Sequence, residues 1–265
     1  MKRKNMTSNN FDWDKTKQLS IIQLLLAFAL PSAFAFVGFR LVLPMLVKSG
    51  TPVLIAWPSI ASVMLLGFVI VAFILLRSEA RQLNIPLTSR MCLKRLSFKQ
   101  WLIYIVILFV GFAFAMIAVQ LVEPFMKATG LTIPDYMPFF LNPLINPAEV
   151  DQSVLSPGLP LKGQFVLIPL MAITLLLNIM AEEFYFRAWI LPKLSRYGSI
   201  GWVINAVLFA LYHSFQLWLL PTILVGSLIF AFVIYKSKSI WPALVGHLVG
   251  NFLFTILGVL ILILG

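Results

Sequence analysis

Long runs of apolar residues, separated by short polar segments, fill the chain from residue 19 to its end. A run of about 20 apolar residues is long enough to cross the hydrocarbon core of a bilayer as a helix. The runs are continuous and do not alternate with polar residues, which excludes a transmembrane β-barrel. The pattern predicts seven membrane-spanning helices, at about 21–47, 53–76, 101–122, 164–191, 200–220, 222–235 and 240–264.

The predicted fold class is therefore all-α, a polytopic transmembrane bundle over 19–265 that follows a polar tail at 1–18. The first span contains Pro31, where a bend is expected because proline removes a helical hydrogen bond. An eighth span would require a second crossing within 19–55 or 123–163. The chain has no fixed-period repeat and no segment typical of a soluble domain.

Composition agrees with this pattern. Hydrophobic residues make up 61% of the chain and charged residues only 11%, whereas a typical soluble domain has about 25% charged residues. This excludes a soluble enzyme, a disordered chain and a collagen-like chain. Cys92 is the single cysteine, so an internal disulfide and a cysteine-rich metal site are excluded as well, and we assign Cys92 no role.

The basic residues that give the net charge of +11 lie mainly in the polar segments between the predicted spans. Basic residues cluster before span one and after spans two, four and six, which places these segments and the N-terminus in the cytoplasm. The acidic, proline-rich segment 123–163 then lies outside. The charge therefore reflects membrane topology, and the expected partner is the lipid bilayer, with no nucleic acid.

The ionisable side chains that stand out inside the spans lie in the C-terminal half, although each costs about 2.5–3.5 kcal/mol to insert. They are Glu182, Glu183 and Arg187 in span four, His213 in span five and His247 in span seven. At a rise of about 1.5 Å per residue, Glu182, His213, His247 and Asn251 lie roughly 10–20 Å from the cytoplasmic face. Three helices can thus direct polar groups to one place.

Helical spacing suggests different roles for the two glutamates. Glu183 and Arg187 are four residues apart on one face, in the order that favours an ion pair. Glu182 faces elsewhere, with Asn178 one turn before it, and remains free to act as a base. A structural ion pair is the alternative interpretation of Glu183 and Arg187.

Two further pairs have the same four-residue spacing. Phe209 lies one turn before His213 and can pack against the imidazole, while His213 can help to deprotonate a water. His247 and Asn251 share a face and supply two donors of the kind that an oxyanion needs. They could instead join two helices by hydrogen bonds.

Together these residues suit a hydrolase that attacks with water, but they leave a proton-coupled transporter and a structural or binding role open. Glu182, His213 and His247 are also ligand types that zinc accepts. The chain has no H-E-x-x-H helix, no G-x-S-x-G elbow and no nucleotide-binding glycine pattern.

Three motifs occur in order on the late spans: E-E-x-x-x-R at 182–187, F-x-x-x-H at 209–213 and H-x-x-x-N at 247–251. This set resembles the CPBP intramembrane proteases, which include CAAX proteases and bacteriocin-processing enzymes and are also called the Abi family. The resemblance covers about 164–255, which is the expected catalytic region, and residues 1–120 match only as generic spans.

The resemblance implies an endopeptidase. Glu182 and His213 would activate water, and His247 and Asn251 would stabilise the oxyanion. Glu183, Arg187 and Phe209 would be supporting residues. No cofactor is expected; zinc held by Glu182, His213 and His247 is the alternative.

The resemblance also implies a membrane-associated peptide or protein as substrate. Eukaryotic relatives cut prenylated CAAX tails, and prokaryotic relatives are linked to bacteriocin maturation, self-immunity and peptide signalling; the sequence selects none of these. The expected location is a bacterial plasma membrane, with several crossings and a cytoplasmic N-terminus. A non-proteolytic immunity or regulatory scaffold is the alternative function. The sequence sets no oligomeric state.

Overall fold

The structure is a computed structural model that describes residues 11–264, without the side chains of 254 and 255. The described residues form helices and connecting turns, and none of them lies in a β-strand, which confirms the all-α class. The α-helices are α1 (Ile21–Lys48), α2 (Val53–Gln82), α3 (Leu87–Arg90), α4 (Phe98–Val119), α5 (Val122–Thr129), α6 (Gln152–Leu155), α7 (Leu167–Glu182), α8 (Gly201–Tyr212), α9 (Leu220–Ser237), α10 (Trp241–Asn251) and α11 (Leu257–Leu264).

Tighter and wider helical turns join or interrupt these helices. The 3-10 turns are Trp13–Lys15, Phe139–Leu141, Leu191–Ile200 and Ser214–Leu219. The π-helical turns are Val37–Val42 within α1, Glu183–Ile190 after α7 and Phe252–Ile256 after α10. Helix α1 continues through Pro31, and its irregular turn lies further along, at Val37–Val42. Of the N-terminal tail predicted at 1–18, residues 1–10 lie outside the described residues.

Among residues 11–264, five helical stretches are long and apolar enough to cross a membrane, namely α1, α2, α4, the run Leu167–Tyr212 and the run Ser214–Ser237. The run Leu167–Tyr212 has 46 residues and contains the fourth predicted span and most of the fifth. Its helical path is broken at Gly198, where φ is 57° and ψ is −133°, a conformation essentially restricted to glycine. The number of crossings, seven or eight, stays a prediction.

The acidic segment 123–163 folds back onto one end of the bundle. Its helices have at most eight residues, about 12 Å, and are too short to cross a bilayer. Phe139, Leu155 and Leu161 are buried in the main core, and Trp218 donates a hydrogen bond to the Leu141 carbonyl, at 2.8 Å. The segment therefore covers the bundle without adding a second crossing.

The outer surface of the long helices is apolar. Leu30 on α1, Val63 on α2 and Phe109 on α4 expose 66%, 76% and 75% of their surface. A soluble protein rarely exposes large continuous apolar patches, whereas these faces suit contact with lipid chains. The chain is thus a multi-pass membrane protein.

The main core lies among α1, α2, α7 and α8, with Phe186 at its centre. The Phe186 side chain is fully buried. Its ring centroid lies 5.1 Å from that of Phe28, 5.6 Å from Phe68, 5.0 Å from Phe209 and 4.8 Å from Tyr212. This aromatic contact set fixes the turn Glu183–Ile190, on which two of the predicted site residues lie.

A buried polar cluster, which we call the polar clamp, joins Glu79, Arg90, Trp189 and Lys193. Arg90 donates from Nε and Nη2 to Glu79 Oε2, at 2.8 and 2.6 Å, and from Nη1 to the Ala188 carbonyl, at 2.6 Å. Lys193 pairs with Glu79, and Trp189 Nε1 donates to Glu79 Oε1, at 2.9 Å. The clamp ties the turn after α7 to α2 and α3.

Cys92 lies beside the clamp in a smaller apolar cluster with Leu76, Leu191 and Ile240. The thiol is free and buried, and burial raises its pKa to about 11. A thiol of this kind is almost entirely protonated at neutral pH and unreactive.

Candidate active site

The structure places every predicted site residue on the late helices. Glu182 ends α7, Glu183 and Arg187 lie in the π-helical turn that follows, Phe209 lies on α8, His213 directly follows α8, and His247 and Asn251 lie on α10. Glu182, Glu183, Arg187, His213 and His247 are all buried. The change from α to π winding at Glu183 gives the two adjacent glutamates different surroundings.

Glu182 lies between both histidines of the chain. Its Oε1 is 3.6 Å from His213 Nε2, and its Oε2 is 3.7 Å from His247 Nε2. Asn178 Nδ2 donates to Oε1, at 2.9 Å. One buried carboxylate therefore has an imidazole beside each oxygen, in agreement with the depths estimated from the sequence.

His213 is held in one orientation by the end of its own helix. Its Nδ1 lies 3.0 Å from the Phe209 carbonyl oxygen, which can only accept a hydrogen bond. In the neutral imidazole Nδ1 therefore carries the proton, and Nε2 presents a lone pair toward Glu182. The rings of Phe209 and Tyr212 pack edge-on against the imidazole, with centroids at 4.9 and 4.8 Å.

Glu183 contacts His247 instead of Arg187. Its Oε1 lies 3.1 Å from His247 Nδ1, and none of the three Arg187 guanidinium nitrogens has a hydrogen-bond partner. The predicted Glu183–Arg187 ion pair is therefore wrong. The prediction considered spacing within one helix only, whereas the partner of Glu183 is His247 on α10, 64 residues away in the chain. The Arg187 guanidinium lies over the Phe209 ring, 4.0 Å from its centroid.

Asn251 connects to Glu182 through a third side chain. Its Nδ2 donates to Asn178 Oδ1, at 3.0 Å, and Asn178 Nδ2 donates to Glu182 Oε1. The sequence placed Asn178 on the face of Glu182 but gave no reason to connect it with Asn251. A chain of hydrogen bonds thus links the end of α10 to the central carboxylate.

Several buried polar atoms near the site have no hydrogen-bond partner. They are Glu183 Oε2, the Arg187 nitrogens and Asn205 Oδ1, although Asn205 Nδ2 donates to the Phe186 carbonyl, at 2.9 Å. Most buried polar groups in proteins are satisfied, so such a concentration is typical of a functional site.

Comparison with known families agrees with this arrangement. Residues 164–253 match the Rce1-like family model, described as type II CAAX prenyl endopeptidase Rce1-like. The resemblance to the CPBP and CAAX proteases is thereby confirmed for this part of the chain. The Rce1-like region contains all the site residues named above, and it indicates a membrane endopeptidase of the CAAX-protease type. No curated protein and no solved structure has a significant match to the chain.

The Rce1-like region holds donors that zinc accepts, in Glu182, His213 and His247. The two imidazole Nε2 atoms lie against different oxygens of Glu182. Among the residues that the structure describes, no three histidine, cysteine, aspartate or glutamate side chains are arranged to hold a metal ion. The donor set does not fit a metal in this arrangement. That the reaction needs none stays a prediction.

Helix α1 borders the Rce1-like region. This contact could not be seen in the sequence. Ser32 Oγ lies 2.8 Å from Ser214 Oγ, next to His213, and Tyr185 Oη donates to the Ala27 carbonyl, at 3.0 Å. Arg40 lies within the first predicted span and was overlooked as an ionisable residue there. The rule that singled out the late spans would have found it too.

Proposed function

We propose that this protein is an intramembrane endopeptidase that hydrolyses peptide bonds of membrane-associated peptides or proteins with water activated by Glu182 and His213. The single observation that carries the proposal is the buried Glu182 carboxylate with an imidazole beside each oxygen. A carboxylate in such a site is suited to general-base chemistry. The similarity of residues 164–253 to Rce1-like endopeptidases supports the same reaction class.

In the first step, Glu182 and His213 activate the water. Glu182 Oε1 and His213 Nε2 are 3.6 Å apart, too far for a strong direct hydrogen bond, but a water beside them can contact both. Glu182 takes one proton from the water as its oxygen bonds to the scissile carbonyl carbon. When the carbon–nitrogen bond breaks, Glu182 returns this proton to the leaving amine, so that the carboxylate is regenerated.

In the same step, negative charge develops on the carbonyl oxygen and requires donors. Both ring nitrogens of His247 face carboxylate oxygens, and only the imidazolium form donates from both nitrogens. Its Nε2–H and the Asn251 amide are the proposed oxyanion donors. Glu183 contacts the imidazole at Nδ1. Asn178 accepts a hydrogen bond from Asn251 and donates one to Glu182, which positions both side chains.

The proposed substrates reach the site from the membrane. The site is buried within apolar helices whose outer faces suit lipid contact, which supports a membrane-associated peptide. The family description names CAAX prenyl endopeptidases, so a prenylated tail is the first substrate class to test. The proposed location is a bacterial plasma membrane with a cytoplasmic N-terminus, supported by the distribution of basic residues.

The proposal is tested by comparing wild type with Glu182→Gln in matched membranes, using proteomics of new peptides and C-termini. Glu182→Gln keeps the shape of the side chain but removes the base, so products seen with wild type should be absent. General acid–base catalysis contributes about 10²–10⁴-fold, and purified Glu182→Gln should lose at least that much turnover. Glu123→Gln is the matched control, because Glu123 is exposed and its ion pair with Lys127 lies at the surface.

Identical peptide sets from wild type and Glu182→Gln, with both proteins folded, would contradict the proposal and favour the scaffold. Substrate-dependent proton flux that Glu182→Gln abolishes, without new peptides, would favour a transporter. Chelator treatment of the purified enzyme tests the metal prediction separately: activity should be retained, and its loss with recovery on adding zinc would contradict a metal-free reaction.

A further inference from the structure

Arg40 is a second unusual arginine inside the bundle. It lies about 19 residues after Ile21, roughly 28 Å along α1, in the π-helical turn Val37–Val42. Its guanidinium carbon is 5.8 Å from the centre of the Trp218 ring, and Nη1 is buried without a hydrogen-bond partner. A buried donor of this kind costs free energy unless an acceptor reaches it.

The elements around Arg40 contain other buried polar atoms that lack partners, namely Trp57 Nε1, Gln216 Oε1 and Thr222 Oγ1. The ring of Phe39 links these elements, since its centroid lies 5.3 Å from Trp57 and 4.6 Å from Phe215. We call Arg40, Trp57, Gln216 and Thr222 the Arg40 cluster because the elements that carry them adjoin one another in the fold.

The chemistry of the Arg40 cluster suits a peptide carboxylate. The guanidinium, the indole N–H and the hydroxyl can all donate, and a carboxylate only accepts. Gln216 Oε1 accepts, and the backbone N–H of an extended peptide can supply its donor. Arg40 is suited to such a ligand because its planar guanidinium matches carboxylate geometry.

The cluster lies at a peptide-scale distance from the site. Ser32 Oγ contacts Ser214 Oγ, directly after His213, at 2.8 Å. Arg40 follows Ser32 by eight residues, which is about 12 Å along the helix. An extended peptide spans about 3.3–3.6 Å per residue. Measured along α1, Arg40 therefore lies about three to four residues of extended substrate beyond the Ser32–Ser214 contact.

We propose that Arg40 binds a carboxylate of the substrate peptide, three to four residues from the scissile bond. For a tail cut near its end, this is the terminal carboxylate. The assignment rests on the proposed function for the position of the scissile bond. An arginine that merely reached the membrane surface would keep its whole guanidinium in water, whereas Nη1 of the partly buried Arg40 side chain is enclosed and the guanidinium lies beside Trp218.

Binding tests this proposal independently of cleavage. The probe is a fluorescent farnesylated peptide that ends in a CAAX sequence, compared with the same peptide whose terminal carboxylate is an amide. Full-length Glu182→Gln in lipid nanodiscs binds the probe without cutting it. The acid should bind about ten-fold more tightly than the amide, because a hydrogen bond to a charged group contributes about 1.5–3 kcal/mol.

Arg40→Gln, in the same Glu182→Gln protein, should lose this preference and leave the affinity for the amide unchanged, while Arg40→Lys should keep part of it. Arg77→Gln is the matched control, since Arg77 is exposed at the end of α2. Equal affinity for acid and amide, failure to bind either, or a preference that survives Arg40→Gln would overturn the proposal. The comparison of acid with amide needs no Arg40 variant, so it remains decisive if such variants do not fold.

Cleavage by wild type distinguishes this proposal from the proposed function. An Arg40-dependent preference for the acid without any cleavage would overturn the endopeptidase and keep the carboxylate site. Cleavage of the acid and the amide with equal KM would overturn the carboxylate site and keep the endopeptidase.

Discussion

Two arginines in the part of the chain that the structure describes are completely buried, and their surroundings differ in kind. In the polar clamp, every guanidinium nitrogen of Arg90 donates a hydrogen bond, to Glu79 or to backbone carbonyls. In the candidate site, none of the Arg187 nitrogens has a partner. Arg187 lies in the turn that follows α7, and Arg90 donates to carbonyls of the same turn. The difference in hydrogen bonding therefore arises within one short stretch of chain.

This difference separates a polar cluster that holds the fold from one available for chemistry. A satisfied buried network stabilises one arrangement of the chain. Unsatisfied groups cost stability and persist where the rest of the structure compensates for them, as at functional sites. Glu183 Oε2 lacks a partner as well, so the feature belongs to the site as a whole.

The largest expected effect is a difference in stability between variants that lack Arg90 and variants that lack Arg187. Arg90→Met should lower the free energy of unfolding by about 3–5 kcal/mol, because Glu79 loses a buried partner. Arg187→Met should lower it by less, since no hydrogen bond is lost; the variant removes the contact with the Phe209 ring and the electrostatic attraction of the Glu183 and Glu182 carboxylates. Denaturation by sodium dodecyl sulfate of both purified variants measures the difference.

A loss of stability in Arg187→Met equal to that in Arg90→Met would contradict the distinction between a structural and a functional arginine. It would mean that Arg187 has a structural partner, such as an ordered water. An ion pair between Glu183 and Arg187 would predict a clear loss for Arg187→Met, through an unpaired Glu183. The contact between Glu183 and His247 removes the reason for that expectation.

A smaller effect is expected from Glu183→Gln, which removes the charge beside His247 Nδ1. Hydrogen-bond partners that orient a metal-binding histidine contribute about 10–100-fold to activity, and we expect an effect of the same order for Glu183 and His247. Because the proposed role of His247 is to stabilise the oxyanion, kcat should fall and KM should change little. Steady-state kinetics with the substrate found by proteomics measures both.

The alternative outcome for Glu183→Gln is a loss of folded protein with unchanged kcat in the folded fraction. That result would assign Glu183 to the fold, like Glu79, and would remove the distinction between the two clusters. Glu123→Gln again provides the control for loss of one carboxylate.

The late spans could be predicted in most respects because membrane insertion makes each ionisable residue conspicuous. Glu182, both histidines and Asn251 were identified from depth and four-residue spacing, and the structure brings them to one place. Arg90 was counted only as a basic residue of a cytoplasmic segment, since burial by distant parts of the chain leaves no local signal. The pairing of Glu183 was wrong because spacing within one helix carries no information on a partner 64 residues away, here His247.

The smallest expected effect concerns how α1 supports the site. Two hydroxyl pairs join helices at the same distance: Ser32 with Ser214, beside His213, and Ser62 with Thr174, between α2 and α7, both at 2.8 Å. Hydrogen bonds between membrane helices contribute about 0.6 kcal/mol on average. Ser32→Ala and Ser62→Ala should therefore destabilise the protein about equally.

Only Ser32→Ala should also change catalysis, by a few-fold in kcat, because it loosens the segment that directly follows His213. A double-mutant cycle of Ser32→Ala with Ser214→Ala measures the coupling, and the cycle of Ser62→Ala with Thr174→Ala serves as its matched control. Equal effects of both pairs on kcat would mean that activity follows the stability of the whole bundle. An effect confined to Ser32 and Ser214 would mean that α1, which lies outside the matched family region, is part of the working enzyme.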